Sequence, residues 1–217
     1  MSYFMAELQQ CLKLMARYHQ TLGIAVLATL LMIIVQSPTL HILEPVHYAS
    51  LVFYGLIPIA ILALLYRLPF SQLQLGIGDI KFWLPASALY LLVAVPLVVI
   101  GAQGSAMNGY YQKQTVDWAN YIFTTGLYML GWEYFYRGFL LAGLRTHLKE
   151  GAIIVQMIPF TLLHLGKPDA ETITCIFSGL VWGYICYRGK TFWPAFIMHL
   201  IVNIAAVAAV NGIKLFT

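Results

Sequence analysis

Glu133 is the one acidic residue of this chain that falls deep inside a hydrophobic stretch. The other seven (Glu7, Glu44, Asp79, Asp117, Glu150, Asp169 and Glu171) fall in termini, loops or the edges of such stretches. A charged side chain at mid-membrane costs roughly 2.5 to 3.5 kcal/mol even on a lenient insertion scale, so its position calls for a partner or a purpose. Arg137 supplies a partner, four residues on in GWEYFYRGFLL and therefore on the same helix face. By itself the pair also reads as an internal ion pair that stabilises a bundle. Two histidines lie in or beside other apolar stretches: His164, four residues after Phe160 in IPFTLLHLGKP, and His199, four residues before Asn203 in WPAFIMHLIVN. A neutral imidazole is cheap to bury and commonly does no more than hydrogen-bond a neighbouring helix. Three stretches that each contribute such a group carry the parts of a water-activating centre: a base to take a proton and donors to steady an oxyanion.

These residues need helices to position them, and the composition says which kind. Of 217 residues, 61% are hydrophobic and 9% charged, against about 25% charged in an ordinary soluble domain. A hydrocarbon core needs about 20 largely apolar residues per crossing. Apolar runs predict an all-α, polytopic transmembrane bundle of about seven spans, near 21–36, 49–66, 82–101, 118–143, 151–166, 173–187 and 192–210, with eight as the alternative count. The whole chain, 1–217, reads as one membrane domain. Segments such as 37–45, 67–79 and 101–109 carry loop punctuation. The N-terminal twenty residues lack an apolar core followed by a small-residue cleavage site. They predict an amphipathic helix at the membrane surface, with Phe4, Met5, Leu8, Leu12 and Met15 at helical spacing.

The twelve Lys and Arg residues are scattered singly or in pairs, which excludes a nucleic-acid surface despite a net charge of +4. With the N-terminus inside, the inner segments hold Lys13, Arg17, Arg67, Lys81, Arg145, Lys149, Arg188 and Lys190. The outer ones hold Lys113, Lys167 and Lys214. That asymmetry predicts a cytoplasmic N-terminus and an outer C-terminus. Cys11, Cys175 and Cys186 are too few and too far apart for a disulfide framework and are expected as core thiols. Trp83, Trp118 and Trp193 fall at span ends, as an aromatic belt would, and Gly179 with Gly183 predicts close helix packing. On the predicted topology, at 1.5 Å of rise per residue, Glu133 lies about 15 Å from the inner end, His199 about 11 Å, Asn203 about 17 Å and His164 about 20 Å. They are within reach of one another.

With those residues in hand, the chain resembles the CPBP family of intramembrane proteases, also called the Abi or CAAX-protease group. The family motifs EExxxR, FxxxH and HxxxN or HxxxD correspond to WEYFYR at 132–137, Phe160 to His164, and His199 to Asn203. The likeness runs on through GLVWGYICYRGKTFWPAFIMHLIVN and covers about 118–210, the expected catalytic core. It departs at Trp132, which stands where the family has the first of two glutamates, so Glu133 matches the second.

The resemblance implies an intramembrane endopeptidase, glutamic- or metallo-type, cutting a membrane-embedded or lipid-anchored peptide or protein in a bacterial inner membrane. Three accounts of its site stay open. In one, Glu133 is the base with His164, His199 and Asn203 steady the oxyanion, and Arg137 orients Glu133. In another, Glu171 or Asp169 folds back beyond Pro168 to supply a second carboxylate, against a reading as acids that suit a helix N-terminus. In the third, His164, His199 and Glu133 hold Zn2+ with a position left for water. A glutamic-type mechanism needs no cofactor. The alternative function is a catalytically silent binding, chaperone or immunity protein of the same fold, which Trp132 would explain.

Overall fold

The computed structural model describes residues 2–37, 43–113 and 115–212. Lys214 and the middle of the predicted 37–45 loop lie outside these residues. No strand occurs among the described residues, and each stretch predicted to span is helical. Helix α1 is Ser2–Gln36. Helix α2 is Val46–Leu65, in which α-helical turns alternate with π-helical ones at Ser50–Leu56 and Ile61–Leu65. Then come α3, Ile80–Gly101, the short α4, Ser105–Tyr111, and the long α5 over 118–148. Helix α6 is Gly151–Leu162, α7 is Asp169–Gly189, and α8 is Trp193–Asn211.

Four of these, Tyr3–Gln36, Val46–Leu65, Ile80–Gly101 and Trp193–Asn211, are long and apolar enough to cross a membrane. The count of seven is not reached on those terms. Helix α6 has 12 residues, or about 18 Å of rise. In α7 an early run of polar residues, Asp169, Glu171, Thr172 and Thr174, dilutes the apolar stretch. Helix α5 is broken in character: Tyr134–Leu140 is π-helical, and every residue of that segment is buried. Such segments are uncommon and cluster at functional sites.

The predicted surface helix and the first span are one element, with a kink at Tyr18 (φ −107°, ψ 16°) where the two were expected to meet. Cys175 and Cys186 are buried thiols. Cys11 is exposed instead, on the half of α1 where Phe4, Leu8 and Leu12 are exposed with it. Trp83, Trp118 and Trp193 lie in the first turns of their helices, and two of them also make specific bonds. Trp83 is buried and donates from Nε1 to the Ile77 carbonyl at 2.8 Å, and Trp193 donates to the Leu75 carbonyl at 2.9 Å. Trp83 thereby ties the 67–79 segment to the start of α3, while Trp193 and Thr191, whose hydroxyl reaches the Gly76 carbonyl at 2.6 Å, fasten that segment to the turn that starts α8. That turn sets the register of the helix carrying His199 and Asn203.

The centre of the bundle is α5, packed by α2, α6 and α8. At Gly131, one turn's reach from Glu133, a Cβ would fall 2.2 Å from the Ser50 carbonyl oxygen, so only glycine admits α2 at this distance. Gly179 and Gly183 do the expected packing: added Cβ atoms would fall 2.8 Å from Met157 and 2.5 Å from Gln156 of α6.

Candidate active site

Glu133 closes the α-helical part of α5, and Arg137 follows inside the π-helical part; both side chains are fully buried. The change of helix type preserves the predicted pair, with Arg137 Nη1 2.9 Å from Glu133 Oε2. The rest of the guanidinium lies among aromatic faces, 4.2 Å from the Phe160 centroid and 5.6 Å from those of Tyr136 and Trp182. A cation in hydrocarbon surroundings is stabilised by such faces, so Phe160 contributes to the motif as a platform for Arg137.

His199 comes from the second turn of α8 and meets the other Glu133 oxygen, Nδ1 to Oε1, at 2.6 Å. A carboxylate accepts, so Nδ1 carries the proton and Nε2 of a neutral ring is left as a lone pair. His164 lies in the turn just past α6, since the helix ends at Leu162 and not at 166 as predicted. Three local features end it there. The His164 Nδ1 bonds the Phe160 carbonyl at 2.7 Å, Gly166 takes φ +92°, and Pro168 leads into α7. The carbonyl can only accept, so His164 too keeps its proton on Nδ1 and its lone pair on Nε2. The two rings stand 6.2 Å apart, tilted by 33°.

Both imidazoles, with Asn203 and Trp132, line a cavity of about 320 Å³. Asn203 Oδ1 accepts a short hydrogen bond from the Tyr121 hydroxyl, which leaves the amide nitrogen of Asn203 free to donate. Glu133 does not line the cavity; it lies behind His199. Trp132 is buried, stacks on Tyr128 with centroids 5.4 Å apart, and meets the His164 ring edge to face at 5.9 Å. It fills the space between Glu133's helix and His164.

Glu171 sits in the first turn of α7, held by Lys167 Nζ at 2.7 Å and by the Tyr111 hydroxyl at 2.7 Å. Burial, then the neighbouring Glu171 carboxylate, raise the Tyr111 phenol above its ordinary pKa, so it remains a donor. Glu171 thus fastens α4 over this end of the bundle, as does Asn211, which donates to the Tyr111 carbonyl at 2.9 Å. A zinc site would need Glu133, His164 and His199 to turn donor atoms to one point. Both Glu133 oxygens are engaged, and no three metal-ligating side chains gather among the described residues, so this set does not present a tetrahedral donor arrangement.

Sequence reasoning missed the contributions of Tyr121, His47 and Lys167 to the cavity wall. Tyr121 and Asn203 are 82 positions apart, and no spacing signals their bond.

The helices and this centre define a class: an all-helical integral membrane protein with a buried carboxylate, arginine and imidazole cluster beside a partly polar cavity. Within that class, residues 81–205 match the family model described as Type II CAAX prenyl endopeptidase Rce1-like, and the chain belongs to that family of membrane proteases. The match starts at Lys81, ahead of the 118 predicted from the motifs, and so takes in α3, which packs on α7 and α8. No curated protein and no solved structure matches the chain.

Proposed function

We propose that the chain is an endopeptidase that hydrolyses a peptide bond of a lipid-anchored or membrane-embedded substrate, with His199 as the base and Glu133 behind it. The observation that carries this reading is the contact of Glu133 Oε1 with His199 Nδ1, which fixes the tautomer and supports the imidazolium formed when Nε2 takes a proton. A water held between the Nε2 lone pairs of His199 and His164 donates one hydrogen to each and directs its own lone pair at the scissile carbonyl. His199 takes the proton as the C–O bond forms. The Asn203 amide donates to the carbonyl oxygen as it becomes an oxyanion. His199 then returns the proton to the leaving nitrogen as the C–N bond breaks.

Arg137 balances the Glu133 charge, and Phe160 supports both Arg137 and, through its carbonyl, His164. The reading uses no metal, in keeping with the engaged oxygens of Glu133. Membership of a CAAX prenyl endopeptidase family makes a prenylated CAAX peptide the first substrate class to offer. Orientation follows from charge: the end of the bundle holding Arg67, Lys81, Arg145, Lys149, Arg188 and Lys190 faces the cytoplasm, and the cavity end faces away from it.

The test is cleavage of a farnesylated CAAX peptide and of a transmembrane peptide by the chain in liposomes, set beside Glu133→Gln, His164→Ala and His199→Ala variants present at normal levels. Cleavage by the parent that is lost in all three supports the assignment. Full cleavage by all three variants would end it.

A further inference from the structure

A second cavity, about 400 Å³, lies at the opposite end of the bundle. Its wall joins the end of α5, the end of α7 and the 67–79 segment, and two of its residues are cations, Arg145 and Lys190. No acidic residue lines it, and neither cation has an ion-pair partner among the described residues. The Arg145 guanidinium lies 4.1 Å from the Tyr187 ring centroid, a face contact that holds it against the wall while its N–H groups stay available. The nearby carboxylate, Glu150, accepts from the Tyr187 hydroxyl at 3.4 Å. Ser71 and Thr146 add hydroxyls to the lining.

The backbone here is held in an uncommon shape. Gln74 (φ 63°) and Lys190 (φ 55°) both line the cavity in the left-handed region. Non-glycine residues persist there only where surrounding structure enforces it, and such positions concentrate at ligand sites. The enforcement is visible: the Gln74 carbonyl accepts from Phe192 N at 3.2 Å and faces the Thr191 hydroxyl at 3.4 Å. Beside the cavity wall at Leu68, the side chains of Leu64, Leu65 and Phe70 are exposed by 77%, 65% and 67%, an apolar surface next to a cationic recess.

We propose that this cavity binds the phosphate of an anionic phospholipid, with Arg145 and Lys190 on its oxygens, Ser71 and Thr146 donating hydroxyls, and the acyl chains along Leu64, Leu65 and Phe70. Charge and hydrogen-bond donors select the phosphate; the flanking apolar surface selects a lipid over a soluble anion. The proposal is independent of how the catalytic centre works.

The test uses the full chain purified in neutral detergent and titrated with dioleoyl phosphatidylglycerol, dioleoyl phosphatidylcholine and inorganic phosphate, with binding read by native mass spectrometry. Two variants accompany it: Arg145→Gln/Lys190→Asn, whose asparagine tolerates the left-handed backbone, and Thr146→Glu, a rim change at an exposed residue. The parent is expected to prefer phosphatidylglycerol, and each variant to bind it roughly tenfold more weakly or worse. If the double variant does not fold, Thr146→Glu decides. Millimolar phosphate that displaces the lipid from the parent but not from the variants would support the same anion site with a soluble source. Equal binding of the two lipids by the parent, or phosphatidylglycerol binding unchanged in a folded variant, would overturn the proposal.

Discussion

His199 Nδ1 and Glu133 Oε1 stand 2.6 Å apart, joining α8 to α5 across 66 positions of sequence. In the proposed mechanism this contact puts Glu133 behind the base and leaves His199 to meet water. The two oxygens of Glu133 have different partners, Oε1 facing His199 and Oε2 facing Arg137.

Removing only the acid should therefore have two effects. Glu133→Gln is expected to abolish cleavage and to destabilise the protein by about 3–5 kcal/mol, because Arg137 is left buried and uncompensated. Glu133→Gln combined with Arg137→Met should recover most of the stability and none of the activity. Thermal unfolding in detergent beside a cleavage assay separates the two; a double variant as unstable as the single one would refute the pairing argument.

Asn203→Ala should lower kcat by about 10²–10³-fold with KM little changed, the loss usual for one oxyanion donor. Tyr121→Phe, which frees the amide without removing it, should cost less than that. Single-turnover cleavage rates give the comparison, and a larger loss for Tyr121→Phe would move the donor role to the phenol.

Chelators offer a direct check on the metal-free mechanism. Cleavage should persist after dialysis against EDTA and in the presence of 1,10-phenanthroline. Activity that is lost and then restored by Zn2+ would show that His164 and His199 act as ligands rather than as base and water-holder.

Trp132 packs against Tyr128, Tyr54, Tyr136 and His164. Trp132→Ala is expected to cost about 3–5 kcal/mol by opening a cavity in that cluster, and Trp132→Phe to stay folded with cleavage within a few-fold of the parent. Unfolding midpoints read the first effect and rates the second. A stable Trp132→Ala protein would show that the ring does not hold the His164 turn.

Gly131→Ala would drive a methyl group against the Ser50 backbone, where neither helix has a flexible atom to move. Separation of α2 from α5 should follow, with a loss of about 1–3 kcal/mol or more and a displaced Glu133. Cross-linking of cysteines placed at the α2 and α5 faces would report it, and unchanged cross-linking and stability would contradict the close approach.

Much of this protein was legible in its residues. The scarcity of charge and the length of the apolar runs specify a helical membrane protein, because in hydrocarbon only helices and closed barrels satisfy the backbone, and runs of about 20 apolar residues fit helices and not barrel strands. Glu133 marked itself by the cost of its position, and Arg137 by i, i+4 spacing, a relation that survives even the π-helical turn between them. The three motifs named the family that the match over 81–205 bears out. The tertiary structure decided what local periodicity cannot encode. Which oxygen of Glu133 meets His199, how Asn203 finds Tyr121, and why Glu171 turns to Tyr111 and not to the histidines are relations between helices, set by packing at contacts such as Gly131 against Ser50. The end of α6, by contrast, is local, set by His164 bonding back to the Phe160 carbonyl, by Gly166 and by Pro168. Spacing along one helix is a local property and can be read from residues; the partner across a bundle depends on how every helix packs at once.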